Sequence, residues 1–306
     1  MSTSELTSAG HAPDAECSVE GGGAQASRCA LWWREVPSLP GRRLGLVGRY
    51  RAAGADAACR LLHIACDRLR AEGCTHAVGP MDGSTWHDYR FVTWRGGDPP
   101  FWLEPDHPDD WPCHFEQAGF EVLANYWSSR CDDLDMFPRH SALDARLHAQ
   151  GFAVRALDLT RLDVEIELLW RLASDAFAGN FLYTPISLAE FRCLYAAVIP
   201  RISPQFVLFA EHQRQAVGFL FSFPDLAQAA RGEAVDTLVV KTLGVARARG
   251  GRGIGNWLVE RAISQARASG LRRAIFALMH EDNPSRHVGR GAMRDFRRYS
   301  LFARAL

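Results

Sequence analysis

The sequence is poor in lysine, in net charge and in long apolar runs. Lys241 is the only lysine, so the other 34 of the 35 basic residues are arginine; we interpret this shortage as a compositional bias rather than a mechanism. The 35 basic residues are balanced by 35 acidic ones. The chain as a whole is therefore not basic, and its net charge does not favour a nucleic-acid partner. No apolar run reaches the roughly 18 residues of a transmembrane helix, and no secretory pattern opens the sequence. We therefore expect a cytoplasmic protein with no membrane partner.

Cysteine occurs eight times, yet the sequence contains no C-x-x-C pair and no cluster at metal-ligand spacing. Cys59 and Cys66 fall on the apolar side of a helical pattern, where a reduced cysteine acts as a small hydrophobic residue. The pattern predicts reduced cysteines and no metal site. At 306 residues, with 47% hydrophobic and 23% charged residues, the chain has the length and composition of two globular domains.

Charge is unevenly distributed along the chain. From Lys241 onwards there are 14 basic and 4 acidic residues, whereas residues 1–240 carry 21 basic and 31 acidic residues. A basic C-terminal third favours a polyanionic small ligand. Nucleic acid is the weaker alternative, because no set of stacking aromatic residues is interleaved with these arginines.

The stretch 239–270 carries the strongest functional signal. An apolar, β-branched run ends at Val245, a glycine-rich loop follows, and a segment with helical periodicity stops at Gly270. The loop glycines are Gly250, Gly251, Gly253 and Gly255, and three arginines, Arg247, Arg249 and Arg252, stand in the same segment. Glycines allow the backbone to approach a phosphate, the free N–H groups of a helix start donate to it, and arginine adds forked donors. The sequence predicts a phosphate-binding turn, with a plain tight turn as the alternative.

The order of strand, turn, helix and strand occurs twice in the sequence. An offset of 197 positions places Gly73 on Gly270, and it places the apolar residues of one helical stripe on those of the other. At this offset Asp56 stands where Gly253 stands in the second copy. A carboxylate at a helix start caps the helix and repels a phosphate. We predict that the first copy folds like the second without binding the anion.

Four segments are predicted along the chain. Residues 1–27 are small and polar and are expected to form a disordered tail or a processing remnant. Residues 28–135 form the first, shortened α/β unit, 136–150 a linking helix, and 151–306 the second α/β unit. Each unit is expected to hold a mixed sheet flanked by helices.

Further patterns concern single segments of the chain. The aromatic-rich insertion 79–112 is long for a compact domain, and we expect it to line a pocket or the contact between the units. In the second unit, Ser187 and Glu190 have the spacing of a capping box. The segment after Gly291 is predicted to end the chain with a hairpin.

The second unit resembles the GNAT N-acetyltransferase superfamily. The resemblance rests on the strand ending at Val245, the loop 250–255, the helix after it, and the Asn283-Pro284-Ser285 sequence after the next strand. It covers 152–306, while residues 28–135 look like a second, degenerate copy, so the resemblance implies a tandem arrangement with one working cofactor site.

The resemblance implies acetyl-CoA as cofactor and a small-molecule or peptide amine as acceptor, in a monomer or homodimer. The loop and helix start would hold the pyrophosphate of coenzyme A, and the strand before them would pair with its pantetheine arm. The implied cofactor-binding residues are Leu243, Val245, Arg249, Gly250, Gly251, Arg252, Gly253, Ile254, Gly255, Asn283, Ser285 and His287.

The catalytic residues depart from the family pattern. His287 aligns with the tyrosine that often serves as the general acid in the family. At the strand position where the family usually has an acidic general base, this sequence has valines and Lys241. His280 is the first candidate for the base, because it ends a strand beside the expected reaction centre; Asp236, Lys241 or an ordered water are alternatives. Phe181 and Tyr183 are expected to line the acceptor site.

Two other functions stay open at this point. Loss of the usual acid and base favours a regulatory module that binds coenzyme A without turnover. A transferase that uses aminoacyl-tRNA is a further alternative, although the intact glycine loop argues against it.

Overall fold

The computed structural model describes residues 11–20, 26–139, 141–250 and 252–306, which form one large sheet with helices on both faces. The strands are β1 Ala15–Val19, β2 Ser27–Trp32, β3 Leu44–Arg51, β4 His76–Gly79, β5 Phe91–Trp94, β6 Glu121–Cys131, β7 Phe152–Ala156, β8 Val207–His212, β9 Gln215–Pro224, β10 Thr237–Val245, β11 Arg273–His280 and β12 Arg294–Ala305. The helices are α1 Ala55–Ala71, α2 Trp111–Gln117, α3 Ser141–Ala149, α4 Leu162–Phe177, α5 Leu188–Tyr195, α6 Leu226–Ala230 and α7 Ile254–Ala268.

The two halves of the chain exchange strands at the centre of the sheet. The strand order is β1-β2-β3-β4-β12-β6-β11-β10-β9-β8-β7, with β5 paired to β12 beside this path. The last strand of the chain therefore lies against β4 of the first half, and β6 of the first half lies against β11 of the second. The units predicted at 28–135 and 151–306 thus share one continuous sheet, and their boundaries stay a prediction.

The internal repeat is present as two crossover units. In the first, β3 and β4 are parallel and joined by α1; in the second, β10 and β11 are parallel and joined by α7. Both helices are followed by a glycine in the left-handed conformation, Gly73 and Gly270, each at φ 82°. Such a residue ends a helix without the steric cost of a Cβ. The predicted tandem α/β architecture with a mixed sheet is confirmed.

The two crossovers differ in the loop that leads into the helix. Three residues, 52–54, separate β3 from α1, whereas eight residues, 246–253, separate β10 from α7. Gly253 is the N-cap of α7 with φ 84°, while Asp56 lies inside the first turn of α1, whose N-cap is Gly54. The first loop is therefore too short to surround a phosphate, in addition to carrying a carboxylate near the helix start.

Each face of the second half of the sheet has its own core. Along β8, Leu208 and Ala210 pack with the buried side of α7, and Val207 and Phe209 pack in the cluster that contains residues of α4 and α5. This alternation is the two-residue period of a strand whose two faces are both covered. It explains why the strand reads as an almost uninterrupted apolar run.

Two expectations from the sequence are wrong, and one strand was not foreseen. Residues 15–19 of the supposed tail form β1, because Cys17 and its neighbours pack on the core under α1 and pair with β2; residues 1–10 and 21–25 lie outside the described part. The predicted final hairpin is one twelve-residue strand, β12, with bulges that let it follow β6. The insertion contributes β5, whose pairing to β12 has no local sequence signal.

Candidate functional site

A cleft opens where the two parallel strands of the second crossover separate. The pairing of β10 with β11 runs from Thr237 opposite Arg273 to Val240 opposite Phe276. The pairing of β10 with β9 continues to Val245 opposite Gly218, so the edge of β10 left open is the one that faces β11. The gap forms part of a cavity of about 930 Å³, lined by both strand ends and by Asn283 and Ser285.

Lys241 lies at a β-bulge on the wall of this cleft. Val240 pairs with Ser222 and Thr242 with Phe221, so Lys241 is the extra residue on β10. A bulge changes the direction of a side chain relative to a regular strand. The Lys241 ammonium nitrogen donates to the carbonyl oxygen of Leu103 at 2.9 Å. Burial and the nearby positive charge of Arg90 lower the pKa of Lys241 to about 7.

The opposite wall also contains an irregular strand. Between Phe276 and Met279, β11 has one residue more than β6, and Leu278 adopts φ 61°. The Leu278 N–H donates to Ser128 Oγ at 3.1 Å, and its carbonyl accepts from Arg90 at 3.3 Å. A left-handed conformation in a branched residue costs of order 1–3 kcal/mol, and such strain concentrates at functional sites.

His280 lines the cleft, but its hydrogen bonding does not suit the predicted role of general base. Its Nδ1 accepts from the backbone N–H of Asp282 at 3.2 Å, so the proton of the neutral ring is placed on Nε2. The ring packs against Tyr126 and Phe181, with centroid distances of 5.1 and 5.4 Å. In this tautomer Nε2 carries a hydrogen and has no lone pair with which to accept a proton.

The structure does not bring Asp236 or His287 to the lining of this cleft. Asp236 precedes β10 at the opposite end of the strand, where its carboxylate accepts from Arg273 at 2.7 Å and from Gln228 at 2.8 Å. Partial burial raises the pKa of Asp236, but these hydrogen bonds and one from Thr237 outweigh it, so the pKa is lowered overall. Asp236 therefore stabilises this end of the sheet. His287 lines a separate cavity of about 190 Å³ with Phe137 and Asn256.

The glycine loop leads into the free backbone N–H groups at the start of α7. The Trp257 N–H donates to the Gly253 carbonyl at 3.0 Å, so the N–H groups of Ile254, Gly255 and Asn256 precede the hydrogen-bond ladder of the helix. Gly251 lies outside the described residues. Val245 lines the cleft and the loop follows it directly, so a ligand can span both.

The arginines around the loop differ in their contacts and in their exposure. Arg247 forms an ion pair with Asp175 at 3.5 Å, and its N–H donates to the same carboxylate at 2.9 Å. Arg252 is exposed and Arg249 half-buried. Arg146 of α3, which the sequence analysis missed, donates to the Arg252 carbonyl at 2.9 Å. Its position in a separate helix, more than a hundred residues earlier, gives no local signal.

Asn283 and Ser285 line the cleft, and they organise the turn there. The Asn283 side-chain oxygen accepts from the Ser285 N–H at 2.9 Å and from its hydroxyl at 2.6 Å. This Asx-type cap fixes the 3-10 turn Pro284–His287. Their contact with a cofactor stays a prediction.

The insertion of the first half forms one wall of the cleft. Trp86 donates from its indole N–H to the Thr184 carbonyl at 2.7 Å, beside Phe181 and Tyr183, which also line the cavity. A buried ion pair holds the insertion on β12: Arg297 Nε and Glu104 Oε1 are 2.7 Å apart and both side chains are fully buried. The first half therefore contributes to the lining of this cleft.

The cavity continues as an apolar arm between the sheet and the pair α4 and α5. Its lining there is almost entirely aliphatic and aromatic: Leu157, Leu162, Ile166, Leu169, Ala173, Phe177, Phe191, Leu194, Tyr195, Val198, Ile199, Ile202, Val207, Phe219 and Phe221. An apolar cavity of this extent favours a hydrocarbon chain over a polar ligand. Among the described residues there is no cluster of three or more side chains able to hold a metal ion, and no helix of sufficient length and hydropathy to cross a membrane.

Comparison with known proteins confirms the resemblance found in the sequence. Residues 169–288 match the model of the Acetyltransferase (GNAT) family. A tandem GNAT protein from the clavulanic acid biosynthesis pathway superposes with a TM-score of 0.51 at 14% identity, over 96% of this chain and 84% of that one. A GCN5-related N-acetyltransferase from Sphaerobacter thermophilus gives 0.51 at 16% identity, over 92% and 77%. At these identities the likeness concerns the fold alone.

One curated relative is similar in sequence beyond the fold. The bacterial ceramide synthase of Caulobacter vibrioides (strain NA1000 / CB15N) is 27% identical over 212 residues, which are 68% of this chain and 55% of that protein. The chain thus spans about half the length of this relative.

Proposed function

We propose that the chain is an acyl-CoA-dependent N-acyltransferase that converts an amine acceptor into an amide, since residues 169–288 match the GNAT family model. The observation that carries the proposal is the cleft between the separated ends of β10 and β11, continuous with the loop before α7. Bound acyl-CoA would supply the activated thioester. The residues present fit this group, since the open edge of β10 can pair with the amides of a pantetheine arm and the start of α7 can bind a pyrophosphate.

The acyl group is proposed to be a long alkyl chain rather than the acetyl group expected from the sequence. The apolar arm under α4 and α5 is lined by more aliphatic and aromatic side chains than an acetyl group could contact. The name of the relative, a ceramide synthase, supports the same direction, because a ceramide is an amide of a fatty acid. Each methylene group buried in the arm contributes roughly 0.8 kcal/mol, or about a fourfold gain in affinity.

The acceptor amine is proposed to enter from the side closed by the insertion. Trp86, Tyr89 and Phe181 form this wall of the cavity, and their rings suit an acceptor with an apolar body. A small-molecule or peptide amine remains the alternative.

Thiol release tests the proposal directly. The purified chain is incubated with acetyl-, octanoyl- or palmitoyl-CoA and an amine panel that includes a long-chain amino alcohol, and free thiol and product mass are measured. We expect amide formation that is fastest with a long acyl chain. Binding of coenzyme A by calorimetry without thiol release from any pair would instead support the non-catalytic module. Tight RNA binding with a steep salt dependence would support the aminoacyl-tRNA alternative.

A further inference from the structure

The only lysine of the sequence lies in the cleft. The chain uses arginine at its other 34 basic positions, yet the bulge of β10 carries Lys241. Arginine stays protonated in proteins, whereas a lysine can lose its proton when it is desolvated. A position that must alternate between a charged and a neutral base can therefore be filled by lysine and not by arginine.

The surroundings of Lys241 come largely from the insertion of the first half. Its nitrogen donates to the Leu103 carbonyl at 2.9 Å, in a residue held at φ 63°. This contact uses one N–H and leaves the lone pair of the neutral amine available to accept a proton.

Three charged groups act on Lys241. Arg90 is fixed between the rings of Tyr89 and Tyr126, at 3.8 and 4.2 Å from their centroids, and it disfavours a second positive charge nearby. The carboxyl groups of Asp88 and Glu104 act in the opposite direction. Glu104 is paired with Arg297 at 2.7 Å, and burial raises the pKa of Asp88. Both carboxyl groups therefore raise the pKa of Lys241 less than two unpaired, fully ionised carboxylates would.

We propose that Lys241 is the general base of the proposed N-acyl transfer, held for this role by Leu103 and Arg90. The Lys241 lone pair takes the proton that the acceptor nitrogen loses as its bond to the acyl carbon forms. The carbon–sulfur bond breaks, and its electron pair leaves with the sulfur of coenzyme A. The proton on Lys241 then passes to solvent or to the thiolate. This inference rests on the proposed function, and it replaces His280 as the first candidate for the base.

The electrostatics of the cleft agree with this role. Burial first, and Arg90 second, lower the pKa of Lys241 to about 7. A base with a pKa near the working pH combines a substantial neutral fraction with adequate basicity. Because the neutral form is populated above the pKa, activity should rise with pH through about 7.

The single lysine allows a test that does not depend on turnover. Tag-free protein grown with lysine isotope-labelled at Cε gives one lysine resonance, whose pH titration reports Lys241 alone. We expect a midpoint near 7, and a higher midpoint in Arg90→Gln, which removes the positive charge beside it. A wild-type midpoint near the ordinary lysine value of about 10.4 would overturn the proposal.

Turnover gives the second readout, with Lys241→Arg as the discriminating variant. It keeps the charge and the length of the side chain, so we expect coenzyme A binding to persist while kcat falls roughly 100-fold or more. The pH limb of kcat/KM should also move upward in Arg90→Gln, which a limb due to the free acceptor amine would not do. Near-normal kcat in Lys241→Arg would overturn the role of Lys241 as the base. Absence of turnover in the wild type would instead overturn the proposed function, and the titration would then still report whether the pKa of Lys241 is lowered.

Discussion

Filling the apolar arm should remove long-chain activity and leave short-chain activity. Ala173 lies on α4, is 2% exposed and lines the arm, so Ala173→Phe places a ring in the space proposed for the acyl chain. Loss of contact with about three methylene groups corresponds to roughly 2.4 kcal/mol, or about a 50-fold fall in kcat/KM for palmitoyl-CoA. Acetyl-CoA does not reach this depth, and its kcat/KM should be unchanged.

The assay for this prediction is thiol release across the acyl-CoA series, with Ala178→Phe as the matched control. Ala178 is exposed at the end of the same helix and does not line the cavity, so the same substitution there should leave the chain-length profile intact. Overpacking at Ala173 costs typically 1–3 kcal/mol of stability, so activities are compared at equal concentrations of folded protein, at which this cost does not alter kcat/KM. A parallel loss for acetyl- and palmitoyl-CoA, or no loss for either, would refute the assignment of the arm.

Two further predictions concern the first half of the chain. Glu104→Gln leaves the fully buried guanidinium of Arg297 without its carboxylate, so the free energy of unfolding measured in urea should fall by about 3–5 kcal/mol; a fall below about 1 kcal/mol would show that backbone carbonyls suffice as partners. Asp56→Gly should not create a second coenzyme A site, since the loop before α1 has only three residues; a calorimetric stoichiometry of two would contradict this account of the first copy.

Local signals in the sequence predicted the elements that depend on local chemistry. The capping box of Ser187 and Glu190 is present, with both hydrogen bonds formed. Helices α1 and α7 each end two residues before the predicted stop glycine, Gly73 and Gly270, because apolar stripes and terminal glycines are sequence features.

The exchange of β6 and β12 had no such signal. Ser129 and Asp295 pair across 166 residues of chain, and nothing near either one specifies the partner. A strand reads the same whether its neighbour belongs to its own half or to the other. The predicted hairpin was therefore wrong.

The candidate site divides in the same way. The loop 246–253 and Val245 were found from their glycines, their arginines and the strand before them. The orientation of Lys241 depends on a bulge set by the register with β9, and the closure of the cleft depends on residues of the insertion. These are long-range contacts, so the sequence offered Lys241 only as one of several candidate bases.

The most direct test of the central claim compares Gly250→Asp with Gly250→Asn in calorimetric binding of coenzyme A. Gly253 is unsuitable, since its φ of 84° and a Cβ 3.0 Å from Leu143 would strain any substitution. Gly250 has φ −57°, and a Cβ there would meet only the Arg247 carbonyl at 3.5 Å. The two variants have the same shape and differ in one negative charge. We predict one site per chain in the wild type and about tenfold weaker binding in Gly250→Asp than in Gly250→Asn, from roughly 1.4 kcal/mol of repulsion. Equal affinities of the two variants would contradict the assignment of the pyrophosphate site to this loop.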